Sequence, residues 1–367
     1  MIALLGLVLV GGAGLAVANG ANDNGKPVAT LIGSGALSQK KGLGLAFWTT
    51  LAGSLAAALW STSLLRAFSG QGLVSAQVLA HPAFLPSVGL AALGTVALAT
   101  RLRLPISTTH ALVGGLVGSG LVLGQGTIAW KVLFVKLAGP MLLSPVVAMG
   151  AAWGLTYLVR VLAAAKVEES CVCAQPAFQM GPGGEATLAG PLLHTGTLTE
   201  CQGEGSTVLV ASAGKLLRGL HFVSAGAVSF SRGLNDTPKI AALLLPITLM
   251  SGATPVVLVA LAMGLGGWYL AKGVTKTMSQ DIVDLERREP EAAGSNLTTA
   301  FLVLLASRWG LPVSTTHVAT GAMVGTGLSH GEFRLATLRN IFLAWTATLP
   351  LATLLAVLAV AALKALA

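Results

Sequence analysis

Two short stretches place ionisable side chains where a membrane helix should continue. Asn19–Thr30 reads NGANDNGKPVAT, with Asp23 and Lys26 three residues apart, directly after eighteen residues without a charge. Arg232–Leu243 reads RGLNDTPKIAAL and repeats the arrangement as Gly233, Asn235, Asp236 and Lys239. Glycine and proline beside each Asn-Asp pair predict an interrupted helix, and unwound backbone at bilayer depth is tolerated only where it lines a cavity or is buried in protein. There, Asn22, Asp23, Asn235 and Asp236 offer oxygens to a cation or accept from a protonated oxyanion. Ionisable groups at that depth are functional candidates by default. The plainer reading is an Asp–Lys pair across one helical turn, at i,i+3 spacing.

A second pair of motifs follows. Arg101–Leu121 reads RLRLPISTTHALVGGLVGSGL and Arg308–Leu328 reads RWGLPVSTTHVATGAMVGTGL. Proline disfavours helix at the residue before it, and Ser and Thr are strong N-caps, so a helix should begin at or just after Ser107 and Ser314. A helix start offers free N–H groups and a positive dipole end, an anion site. The hydroxyls of Ser107, Thr108, Thr109, Ser314, Thr315 and Thr316 add donors. One such segment would be read as an ordinary capped helix; two identical copies beside charged partners favour a site for a tetrahedral oxyanion. His110 and His317 close the motifs and either carry protons, since histidine titrates near neutrality, or pack against backbone carbonyls. Arg232 aligns with Asn19, has no basic counterpart, and is expected to snorkel or to order the linker side rather than bind substrate.

These motifs need a scaffold, and the composition names its class. The chain has 367 residues, 54% hydrophobic and 10% charged, against roughly 25% charged in soluble domains. Uncharged stretches such as Gly42–Leu65 and Leu243–Ala271 are long enough to cross a bilayer as helices. The formal charge of +9 is scattered as loop punctuation (Lys40, Lys41, Arg101, Arg103), which suits loops facing the cytoplasm and not a nucleic-acid surface. The apolar N-terminus lacks a basic leader and runs straight into the polar motif, so it is expected to be a mature helix. The expectation is an all-α polytopic membrane protein in the cytoplasmic membrane, with no cofactor and no enzymatic centre.

Residues 166–214 differ in kind. They hold MGPGGEATLAG and TECQGEGST, the composition of a soluble, partly disordered linker, expected in the cytoplasm. Cys171, Cys173 and Cys201 fall here, an odd number for a disulfide framework. With His194 they match no common zinc spacing, so no metal site is expected. The linker separates a first transmembrane repeat, 1–165, from a second, 215–367. In both, the Asn-Asp-x-x-Lys motif precedes the Ser-Thr-Thr-His motif: Asp23 lies 84 residues before Ser107, and Asp236 lies 78 before Ser314. Two motifs in the same order mark an internal repeat. Internal repeats in a membrane protein point to a transporter with its substrate between them. Two near-identical sites suit alternating access better than an intramembrane enzyme; a passive anion channel differs only in flux.

Paired G-x-N-D and P-[IV]-S-T-T-H motifs resemble the inorganic phosphate transporter (PiT) family. The resemblance covers both hydrophobic halves and not the linker. It implies inverted repeats with broken helices and re-entrant hairpins, phosphate as substrate, a coupling cation, and a homodimer. It also implies that the six hydroxyls hold the oxyanion, and that Asn22, Asp23, Asn235 and Asp236 form the cation and substrate centre. One departure is symmetric: where the family pattern has a second asparagine, this chain has Lys26 and Lys239. Each ammonium is expected to take the place of a sodium ion beside its aspartate, which favours proton over sodium coupling. Phosphate is preferred over a sulfate permease of the same fold because phosphate keeps a proton that a carboxylate can accept.

Overall fold

The computed structural model describes residues 2–60, 62–163, 170–180, 185–197, 207–209, 213–247, 252–280, 289–329 and 335–365. The chain divides into two compact units, one of residues 1–156 with 221–367 and one of residues 157–220.

The first unit is helical. Its principal elements are α1 (Ile2–Asp23), α2 (Ala29–Gly33), α3 (Gln39–Trp60), α4 (Phe84–Arg101) and α5 (Thr108–Leu123). A π-helical stretch, Leu133–Ala138, then leads into α6 (Gly139–Ala163). After the linker come α7 (Ala213–Ala241), α8 (Thr254–Leu270), α9 (Lys272–Gln280), α10 (Glu289–Arg308), α11 (Thr315–Leu328) and α12 (Leu335–Ala365). Among the described residues five helices are long and apolar enough to cross a membrane: Leu5–Asp23, Gln39–Trp60, Phe84–Arg101, Trp130–Leu158 and Leu335–Ala365. The α8–α9 pair, bent by 72°, makes a sixth if it is one span. Large apolar side chains such as Trp48, Leu59, Leu142 and Leu354 stand exposed on these helices, as lipid-facing groups must.

The uncharged run Leu243–Ala271 is not one span. A 3-10 turn, Ala242–Leu244, closes the preceding helix, and the next helix of the described residues begins at Thr254, where Pro255 takes an early position that needs no N–H donor.

The two halves pack by exchanging partners at glycines. A Cβ added at Gly20 of α1 would lie 2.0 Å from the Met263 carbonyl oxygen of α8, and one at Gly233 of α7 would lie 2.3 Å from the Thr50 carbonyl oxygen of α3. In the same way Gly114 and Gly118 of α5 press on α12, while Gly321 and Gly325 of α11 press on α6. Small residues four apart let backbones approach this closely in membrane helices. Each motif helix is therefore seated against a helix of the other half.

In the second unit the residues expected to be a partly disordered linker instead contain three strands: β1 (Ser170–Met180), β2 (Ala186–Thr197) and β3 (Thr207–Leu209). They form an antiparallel sheet of order β2-β1-β3. The ladder sets Cys173 opposite His194 and Cys171 opposite Gly196. Cys201 lies outside the described residues.

Candidate functional site

The first Asn-Asp motif ends a helix, as expected. Asn24 still donates its N–H to the Gly20 carbonyl at 3.0 Å, but Gly25 and Pro27 prevent another turn. The chain turns through Lys26, and α2 begins at Ala29. The second motif departs from expectation: α7 runs unbroken through Asn235, Asp236 and Pro238 to Ala241. No glycine follows Asp236, and a single proline does not halt the helix there.

Both Ser-Thr-Thr-His segments start helices as expected. Ser107, with φ −99° and ψ 112°, caps α5 by accepting the His110 N–H at 3.1 Å. Ser314 caps α11 by accepting the His317 N–H at 3.3 Å. The amides of Asn22 and Asn235 anchor the extended residues before these starts. Asn22 donates to the Leu104 carbonyl at 3.0 Å and accepts from the Ile106 N–H at 3.2 Å. Asn235 donates to the Val313 carbonyl at 3.2 Å and accepts from the Ser307 hydroxyl at 3.2 Å.

The four segments converge. Among the described residues the buried side chains with a formal charge are Asp23, Lys26, Arg232, Asp236 and Lys239, none more than 5% exposed. The Lys26 ammonium pairs with Asp23 and donates to the Ile106 carbonyl at 2.8 Å and the Thr316 hydroxyl at 2.6 Å. Lys239 pairs with Asp236 at 3.3 Å and donates to the Val313 carbonyl at 2.8 Å and the Thr109 hydroxyl at 2.9 Å. An ammonium has three donors, and each lysine places all three on one carboxylate, one backbone carbonyl and one threonine of the opposite half. Asn19 joins the two sides: its amide donates to Asp23 at 2.9 Å, to Thr108 at 2.9 Å and to Asp236 at 3.4 Å. Thr315 is buried at the head of α11.

A family profile described as "Phosphate transporter family" matches residues 19–356. The chain belongs to the phosphate transporter family. Among its relatives, a Pyrococcus horikoshii protein that carries a phosphate-permease name is 27% identical over 95% of both chains. The "Inorganic phosphate transporter 2-1, chloroplastic" of Arabidopsis thaliana is 27% identical over 92% of this chain and 68% of its own. In fold, the chain is similar to a solved structure titled "The sodium-dependent phosphate transporter", with a TM-score of 0.78, 21% identity and full coverage of both chains.

Three residues of this phosphate transporter family member, Arg232, His110 and His317, sit where its sequence does not suggest. Arg232 does not face the linker. It is 1% exposed, and its guanidinium donates to the Asn24 side chain, to Asn19 at 2.5 Å and to Thr50 at 3.3 Å. The signal lay in its spacing, four residues before Asp236 on one helical face; its Nε stands 3.8 Å from Asp236 Oδ2. The histidines form a stack: the His317 ring lies between His110, centroids 4.5 Å apart, and Trp345, at 3.7 Å. Trp345 donates to the Pro105 carbonyl at 3.3 Å, which ties the stack to the start of α5. Both histidines border an apolar cavity of about 670 Å³, with Leu142, Met149 and Phe342 among its walls. Among the described residues no lysine, arginine or carboxylate lines it.

Proposed function

We propose that this chain carries inorganic phosphate across the cytoplasmic membrane as a secondary transporter, with Lys26 and Lys239 serving as built-in cations. The observation that carries the reading is the pair of three-oxygen cradles around the ammonium groups. Carboxylate, carbonyl and hydroxyl oxygens are the ligands a hard metal cation takes, so each lysine fills a place where sodium would bind. The hydroxyls of Ser107, Thr108, Thr109, Ser314, Thr315 and Thr316 then face an anion drawn to the centre. Protons drive accumulation, since lysine changes its protonation readily in a dry site. Inverted repeats and a homodimer complete the reading. Uptake of radiolabelled phosphate into liposomes, under imposed sodium or proton gradients, tests it; no uptake under either gradient overturns it.

Phosphate should outcompete sulfate at neutral pH. Asp23 and Asp236 can accept a phosphate O–H, and sulfate has none to give. A site built to hydrogen-bond a substrate hydroxyl rejects an analogue lacking it, because its own polar groups are then left unpaired. Equal inhibition of phosphate uptake by sulfate and by unlabelled phosphate would move the assignment to a general oxyanion permease.

Replacing Ser107 and Ser314 together by alanine should weaken phosphate binding. Each hydroxyl can donate to a desolvated anion, a charge-assisted hydrogen bond of roughly 1.5–3 kcal/mol. Each oxygen also caps a helix, so a stability loss of about 1 kcal/mol per site accompanies the change. Phosphate affinity and thermal unfolding measured on the same detergent-purified variant separate the two effects. Unchanged affinity in a folded protein removes the hydroxyls from the site.

A further inference from the structure

We propose that Arg232 binds the transported anion, as the third cation of a centre that, among the described residues, holds two carboxylates. The inference rests on the phosphate-transport reading and adds a residue to it. Asp23 with Lys26 and Asp236 with Lys239 are ion pairs. Each pair sums to zero, and a proton passing from ammonium to carboxylate within a pair leaves that sum unchanged. Among the described residues Arg232 is the remaining buried charge, so these five side chains together carry one positive charge whatever happens inside the pairs.

The surroundings of Arg232 agree. Its close hydrogen-bond partners are neutral oxygens, on Asn19, Asn24 and Thr50. Its nearest carboxylate, Asp236, whose Oδ2 stands 3.8 Å from Nε, already holds Lys239 and an Asn235 amide at 3.0 Å, and Asp23 is reached only through Asn19. The Nε–H has no hydrogen-bond partner among the described residues. A buried guanidinium with an unused donor, in a centre of net positive charge, is costly to maintain at membrane depth. A tetrahedral oxyanion relieves both, accepting from Nε–H and returning the centre toward neutrality, and the planar guanidinium suits phosphate geometry. The aligned position in the first half is Asn19, so the charge enters once; the anion is drawn toward the α7 side of an otherwise matched pair of half-sites.

Chemical rescue in full-length protein reconstituted into liposomes tests this, with inorganic phosphate as the probe. Arg232→Ala should raise the KM for phosphate uptake about tenfold or more, while millimolar guanidinium restores uptake. Urea, a neutral molecule of similar shape, should not. If Arg232→Ala fails to fold, Arg232→Lys and Arg232→Gln replace it: the charged variant should keep a KM near that of the parent and the neutral one should lose it. A KM unchanged in Arg232→Ala, rescue by urea as good as by guanidinium, or equal KM values for Lys and Gln overturns the proposal. Absence of phosphate uptake by the parent protein is a separate result, and it overturns the transport reading itself.

Discussion

Phosphate uptake should survive complete replacement of sodium by choline. Each ammonium already occupies an oxygen cradle, Lys26 on Asp23, the Ile106 carbonyl and Thr316, and Lys239 on Asp236, the Val313 carbonyl and Thr109. A sodium ion entering either cradle would displace a tethered positive charge of equal magnitude, with no electrostatic gain. A fall of more than about tenfold in choline, equivalent to about 1.4 kcal/mol of coupling, would overturn the assignment of the lysines. The companion variant carries Lys26→Asn with Lys239→Asn. It keeps the oxygens, removes both charges, and should acquire sodium dependence that the parent lacks.

The second large effect is on stability. Lys26→Met should destabilise the protein by about 3 kcal/mol, because Asp23 loses the ammonium in contact with it and keeps only Arg232, which reaches it through Asn19. Asn19 and Thr108 still reach the carboxylate, at 2.9 Å and 3.4 Å, but neither supplies charge. Adding Asp23→Asn to Lys26→Met should recover most of the loss, since a neutral amide beside a thioether strands no charge. Thermal unfolding of the three proteins in one detergent makes the comparison. If the single variant unfolds no earlier than the parent, Lys26 and Asp23 do not form the tight pair described here.

Much of this centre is legible in the sequence because its parts are duplicated. Asp23, Lys26 and the Ser-Thr-Thr run announce themselves by recurring in order, and the Pro-Ile/Val-Ser pattern places two helix starts that the structure confirms. What the sequence hides is what depends on contact across the halves. Nothing local says that Lys26 reaches Thr316 rather than Thr109, or that Arg232 turns inward to Asn19 and Asn24. The uninterrupted course of α7 through Pro238 is hidden for another reason. Proline and glycine act together at the first motif, whereas at the second the proline acts alone and the helix absorbs it. The sheet in the polar stretch is masked by composition: glycine and threonine read as linker until their register is known.

The exchange of glycine contacts bears on how the protein is made. Helices α1 to α6 are synthesised and inserted before α8, α11 and α12 exist. Until then Gly20, Gly114 and Gly118 lack the helices they press against, and Thr316 is not yet present to receive Lys26. The first half leaves the ribosome with a charged side chain in the bilayer and no completed cradle for it. Assembly therefore waits for the last helices, and a nascent chain stalled after residue 165 is the form that membrane quality control should recognise and degrade.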